Sequence, residues 1–243
     1  MVEKELQIPL RDGKIADAIV NGEWKNQILI FVHGMTGEMD DTLLHLAARY
    51  FKTQGFTVLR FNLYSGKSNA RHMANCDLTV HVGDLNEVID FARSHGAQSI
   101  HLVGHSLGAY SLMMANQTHV SSVTMWDPSP FGVPLFTTPL QYIKQVNGYL
   151  YEGRVSYIFS KRYLKSLENF DPTKLLKKWT TPTLIVSSDA AAMIESAGKY
   201  KKLMRGASQV KLHTIKGADH AFTQDKWMRM LFNVTHRWIQ AAP

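Results

Sequence analysis

The sequence predicts an α/β fold, with a mostly parallel sheet covered by helices on both faces. Three observations carry that expectation. Short apolar runs of strand character alternate with amphipathic stripes of helical spacing along most of the chain. At 243 residues the chain is long enough to bury a full core as one domain, 1–243. And a tight Gly-x-Ser-x-Gly turn, Gly104-His105-Ser106-Leu107-Gly108, joins one such strand to one such helix.

Residues 4–10 and 14–20 flank the turn Arg11-Asp12-Gly13 and read as an antiparallel hairpin at a sheet edge. Residues 28–32 form the first central strand, after which Leu43, Leu44, Ala47, Tyr50 and Phe51 recur at helical spacing. The strand 57–62 follows, then a stripe of Leu78, Val82, Leu85, Ile89 and Ala92. Strand 99–103 feeds the glycine-flanked turn, and a helical pattern runs from residue 109 to 116. Further strands are read at 122–126, Thr183–Ser187 and 210–215. Trp227, Met230, Leu231, Val234 and Trp238 make a closing amphipathic helix. Between two of these strands, residues 131–180 break the alternation and are too long for an ordinary connection. They hold ten aromatic residues, including Phe136, Tyr142, Tyr149, Tyr151, Tyr157, Phe159 and Tyr163, so the segment is read as an insertion with an apolar interior.

Composition narrows the function classes. No apolar stretch approaches the roughly 20 residues of a spanning helix. The charged start, Met1-Val2-Glu3-Lys4-Glu5, has no apolar run after it and does not read as a signal peptide. Cys76 is alone, which excludes an internal disulfide and suits a cytoplasmic protein with an unpaired thiol. The formal charge is +7, and the segment 131–180 carries eight Lys/Arg against three acids. No interleaved basic and aromatic nucleic-acid motif accompanies that excess, so it reads first as a solvated surface, with attraction of anionic substrates or lipid headgroups as the alternative. His101 and His105 are four apart, but a strand entering a turn does not converge them on a metal ion.

The turn at Ser106 is where chemistry concentrates. A strand–turn–helix of this type strains the serine backbone and pushes its hydroxyl out at the carboxyl end of a sheet. Serine is a weak nucleophile and needs a base, and the base needs an orienting group. Two further segments accompany it in order: Phe31-Val32-His33-Gly34-Met35 at a strand end, and Gly217-Ala218-Asp219-His220-Ala221-Phe222 after the last strand.

With these three segments the chain resembles an α/β-hydrolase of the small esterase, lipase and serine-aminopeptidase kind over nearly its whole length. The resemblance implies Ser106 as nucleophile and His220 as base, since the family's chain order puts serine before histidine. It implies an oxyanion hole from the backbone amides of Leu107, after the nucleophile, and Met35, after His-Gly. It implies a small cap at 131–180, for which Tyr149, Tyr157 and Phe159 are the expected substrate contacts. His33 is expected to be structural, and His105 to point away from the serine. The acid departs from the family's common pattern: its usual column is Ala191. Asp127, in Trp126-Asp127-Pro128-Ser129, resembles the acid of pancreatic-type lipases and is the first candidate; Asp189, two residues early, is the alternative. The implied activity is hydrolysis of small or medium acyl or aryl esters, with a small-molecule ester as partner, no nucleic acid, no stable membrane insertion, and no cofactor or metal. Amide, thioester and C–C hydrolysis remain open, because one triad serves them all. So does a non-enzymatic binding role, whose support is the missing acid at 191.

Overall fold

In the computed structural model, residues 3–133, 135–136, 139–153 and 155–241 are described; Met1, Val2 and Arg154 of the segments discussed above lie outside that set. The strands are β1 Glu3–Pro9, β2 Ile15–Asn21, β3 Gln27–Val32, β4 Thr57–Phe61, β5 Ser99–His105, β6 Val120–Trp126, β7 Gln141–Ile143, β8 Gly148–Tyr151, β9 Tyr157–Phe159, β10 Thr183–Ser187 and β11 Val210–Thr214. The helices are α1 Thr42–Thr53, α2 Leu78–Ser94, α3 Gly108–Met114, α4 Lys161–Glu168, α5 Thr173–Leu176, α6 Ala191–Leu203 and α7 Asp225–Ala241. The main sheet has the order β1-β2-β4-β3-β5-β6-β10-β11. From β4 to β11 neighbouring strands run parallel, while β1–β2 and β2–β4 pair antiparallel, so the N-terminal hairpin forms the edge. This is the α/β-hydrolase fold.

The two-residue period of the central strands divides the core. On β3, Ile28, Ile30 and Val32 face one apolar cluster with α2 and α3, while Leu29 and Phe31 face the other with α1 and α7. The helical stripes follow the same logic. Leu43, Leu44, Ala47 and Phe51 of α1 are buried, as are Leu78, Leu85, Ile89 and Ala92 of α2. On α7 the buried stripe is Trp227, Met228, Leu231, Phe232, Thr235, Trp238 and Ile239; Met230 is exposed, so the stripe expected from sequence sits partly off the true inward face. The sequence reading gave no helix at α6.

The insertion between β6 and β10 holds a three-stranded antiparallel sheet, β7-β8-β9, followed by α4 and α5. It is tied to the 72–78 segment and α2: Arg162 Nε lies 2.8 Å from Asp77 Oδ2, and Ser166 Oγ accepts the Leu78 amide at 3.2 Å. Its aromatics pack largely on one another. Phe159 has no exposed surface and meets Phe136, Tyr151 and Tyr163, with ring centroids 6.0, 5.4 and 5.3 Å away.

Two buried histidines couple this fold to pH. Burial, joined by His33 nearby, lowers the His81 pKa to about 3, and burial lowers that of His101 to about 4, against 6.5 for a free ring. Above pH 6.5 both rings are neutral in folded and unfolded chains alike. Below it the unfolded chain takes protons the folded chain refuses. Each ring therefore withdraws about 1.4 kcal/mol per pH unit, down to its folded pKa. Unfolding free energies from urea titration should fall steadily between pH 6.5 and about 4, and His101→Gln should make that slope shallower. A flat profile over this window would contradict the assignment.

Candidate active site

β5 runs into α3 through Ser106, whose φ of 54° lies in the left-handed region that side-chain-bearing residues seldom adopt. The strain is held from two sides. The Ser106 amide donates to Trp126 O at 2.9 Å, locking the turn to β6. The flanking glycines let the layers close: a Cβ on Gly104 would sit 2.8 Å from Leu112 Cδ1, and one on Gly108 would sit 2.6 Å from the carbonyl oxygens of both Val32 and His33. α3 thus begins directly over the end of β3. Of the five non-glycine residues with positive φ among those described, four surround this point: Thr36, Ser106, Asp127 and Phe222.

His220 reaches the serine from the loop after β11. Its Nε2 lies 2.9 Å from Ser106 Oγ, and its Nδ1 lies 2.6 Å from Asp127 Oδ2. Asp127 ends β6 and is fully buried; its other oxygen accepts the Ser188 amide at 2.6 Å. A carboxylate only accepts, so the neutral tautomer that fits this geometry has its proton on Nδ1 and its lone pair on Nε2, toward the serine. The imidazole side chain is 49% exposed, which leaves it open to a substrate.

Asp189 does not approach His220. Its carboxylate accepts the Gly217 amide at 2.8 Å, and its own amide donates to Ala218 O at 3.1 Å. Asp219 accepts the Thr223 amide at 3.0 Å and the Thr223 hydroxyl. Both carboxylates brace the histidine's loop. His105 faces the histidine loop, donating from Nε2 to His220 O at 2.9 Å, with the two rings 5.1 Å apart, and makes no side-chain hydrogen bond to Ser106 among the described residues. Burial and the neighbouring His220 lower its pKa to about 4, so it stays neutral near pH 7.

Met35 follows β3 in a loop pinned at several points. His33 is buried, donates from Nδ1 to Gly34 O at 2.8 Å and accepts the Leu63 amide at Nε2 at 3.0 Å; burial lowers its pKa and keeps it neutral. The guanidinium of Arg60, fully buried on β4, donates to Met39 O at 2.9 Å and Asp40 Oδ1 at 2.6 Å. Asn62 Oδ1 accepts the Met39 amide at 2.7 Å. The amides of Met35 and Leu107 meet no backbone or side-chain acceptor among the described residues. Sequence reading missed Arg60, and also Ser129, whose Oγ lies 3.2 Å from Ser106 Oγ. A charged residue inside an apolar strand was the available signal for the first; the second had none.

A cavity of about 480 Å³ opens at Ser106. Its walls are the 33–37 loop, Asp41 and the first turn of α1, and residues of the 220–228 segment. The three cap aromatics do not line it, which corrects the expectation for them. Tyr149 borders a separate cavity of about 490 Å³ within the insertion. Tyr157 packs on Tyr64, beside another of about 340 Å³. Phe159 is sealed in the core. The cavity at the serine opens toward α1 and α7, whereas the insertion leans on α2 and α3. His101 lies buried with Nδ1 2.8 Å from Ser122 Oγ. No group of three or more metal-ligating side chains occurs among the described residues.

The tight start of α3 is testable. Gly108→Ala drives a methyl against two backbone oxygens that cannot rotate away. It should destabilise the protein by about 1–3 kcal/mol or more, read as a lower urea midpoint. An unchanged midpoint would mean that α3 has room to shift.

The comparisons with known proteins agree with this architecture. The solved structure of Est1E from Butyrivibrio proteoclasticus with ferulic acid bound superposes with a TM-score of 0.79 at 18% identity, over 98% of each chain. The esterase domain of a Rhodothermus marinus protein matches at a TM-score of 0.72 and 19% identity, over 100% of this chain and 99% of that one. The alpha/beta hydrolase GrgF from Penicillium sp. sh18 matches at 0.80 and 14%, over 100% and 99%. No curated protein matches the sequence. The sequence model described as the alpha/beta hydrolase family matches residues 29–231, from the first central strand into the closing helix, and the chain belongs to that family.

Proposed function

We propose that this chain is a serine hydrolase that cleaves carboxylic esters through an acyl-enzyme. The observation that carries the reading is the continuous hydrogen-bonded run from Asp127 through His220 to Ser106, ending at a cavity. Ser106 Oγ attacks the acyl carbon while its proton passes to His220 Nε2. The amides of Met35 and Leu107 hold the oxygen that becomes negative. His220 then gives the proton to the leaving alcohol, and afterwards takes one from the water that releases the acid. Asp127 holds the imidazole in the required tautomer and stabilises its charged form. The buried carboxylate at the end of β6 supplies the group missing at Ala191, so the departure that favoured a non-enzymatic role loses its force.

The cavity suits a small or medium ester. Among the described residues no lysine or arginine lines it, and Asp41 does. Esters without an anionic group near the scissile bond are therefore the favoured class. The Butyrivibrio relative was solved with ferulic acid, an aromatic carboxylic acid, and a carboxylic acid is the product of the proposed reaction. No helix among the described residues is long and apolar enough to cross a membrane. Cys76 is buried, and burial pushes its thiol up to about 12, so it stays protonated and unreactive.

Ser106→Ala and His220→Ala should each bring turnover of p-nitrophenyl esters down to about 10³- to 10⁴-fold above the uncatalysed rate. The double variant should lose little more, because the two groups act as a unit. Wild-type turnover in Ser106→Ala sinks the assignment.

Exchange of the two candidate acids gives a separate check. Asp127→Asn should lower kcat by about 10⁴-fold, since an amide can hold the wrong tautomer. Asp189→Asn should cost less than about tenfold, through a loosened loop. The reverse order would move the acid to the end of β10.

A further inference from the structure

We propose that Ser129 is a further catalytic residue, its hydroxyl donating a hydrogen bond to the nucleophilic oxygen of Ser106. The inference rests on the reading of Ser106 as nucleophile.

Proton accounting at the site sets the direction of the bond. A general base must be neutral, and in the neutral imidazole a proton on Nδ1 facing Asp127 leaves Nε2 to accept from Ser106. That uses the only proton Ser106 Oγ has. The contact between Ser106 Oγ and Ser129 Oγ, at 3.2 Å, can then run one way: Ser129 donates and Ser106 accepts. Among the described residues the Ser129 hydroxyl makes no other hydrogen bond, and the residue is 7% exposed, so bulk water does not compete for it.

The backbone carrying Ser129 is held unusually firmly. Its amide donates to Ser106 O at 3.3 Å, and its carbonyl accepts the buried Tyr200 hydroxyl of α6 at 2.5 Å. One residue on, Pro130 O accepts the Tyr110 hydroxyl of α3 at 2.7 Å. Pro128 and Pro130 fix the torsions on either side. One short turn thus carries both the acid, Asp127, and the donor, Ser129, and is clamped by helices on the nucleophile's side of the sheet.

At 3.2 Å the resting bond is long for two neutral hydroxyls. In acylation the Oγ–C bond forms, the carbonyl electron pair moves to its oxygen, and the Oγ proton passes to Nε2. Ser129 keeps its own proton throughout. While the proton has largely left for Nε2 and the Oγ–C bond is only partly formed, Oγ carries partial negative charge, and the bond from Ser129 becomes charge-assisted and tightens. It is stronger in the transition state than in the ground state, which is the condition for raising the rate. In deacylation Oγ is the leaving atom, and the same bond supports it until His220 returns the proton.

The test uses Ser129→Ala and Ser129→Cys, the latter of similar volume but with only a weak S–H donor. Each is compared with wild type and Ser106→Ala on p-nitrophenyl butyrate, and by the rate of Ser106 labelling with a fluorophosphonate. Both variants should lose about 10- to 100-fold in kcat and in labelling rate, with KM nearly unchanged and a native circular dichroism spectrum. Wild-type rates in a folded variant overturn the proposal, as does a loss confined to KM with labelling intact. Activity retained in Ser106→Ala would instead remove the reading beneath it.

Discussion

At the end of β6 a carboxylate with no exposed surface sits between a backbone amide and an imidazole. Burying such a charge is costly unless it is paired and hydrogen-bonded, and the partners must stay in place. Ser188 follows β10, and His220 follows β11, so Asp127 ties three neighbouring parallel strands together at their carboxyl ends. The histidine's orientation follows from that tie, and the serine's partner follows from the histidine. Asp189, Asp219 and His105 hold the loop from three further sides. A half-exposed imidazole keeps one geometry because its backbone has nowhere else to go.

The strained backbone belongs to the same design. Left-handed torsions at Thr36, Ser106, Asp127 and Phe222 cost on the order of 1–3 kcal/mol each and persist only where surroundings over-determine them. Here the surroundings are two packed apolar layers and a set of buried polar pins. Arg60 is the largest of these: a guanidinium without exposed surface, holding the 39–40 turn on one side and Asn21 and Glu3 on the other. Mobile loops would let the amides of Met35 and Leu107 find other partners; in the pinned loops neither meets a backbone or side-chain acceptor among the described residues.

The insertion shows how composition can mislead about a pocket. Ten aromatics between two strands suggest a lined cavity, yet a small sheet of three short strands has little else with which to build a core. Tyr151, Phe159 and Tyr163 are consumed in that task, Phe136 and Tyr149 line a cavity inside the insertion and away from the serine, and Phe170 stacks on Tyr110 at 3.8 Å. The walls beside the serine come instead from the α1 and α7 side, whose residues carried no such compositional mark.

Local rules were sufficient for much of this protein. Alternating periods of two and 3.6 residues determined the main sheet, its edge hairpin and the helices α1, α2, α3 and α7, because side-chain direction along a strand or helix is a local property. The elbow around Ser106 was legible because its glycines answer a close approach that any such strand–turn–helix must make. His220 was legible from its place after the last strand. The choice between Asp127 and Asp189 was not: both follow strands that lie side by side, and strands about 4.8 Å apart put either carboxylate within range of one histidine. Which one turns inward depends on how the 186–189 and 215–219 segments hydrogen-bond, and that is settled only when distant loops meet. Ser129, Arg60 and the inward turn of His105 belong to the same class. Their partners lie 20 to 115 positions away along the chain, so no window of sequence contains both halves of the contact.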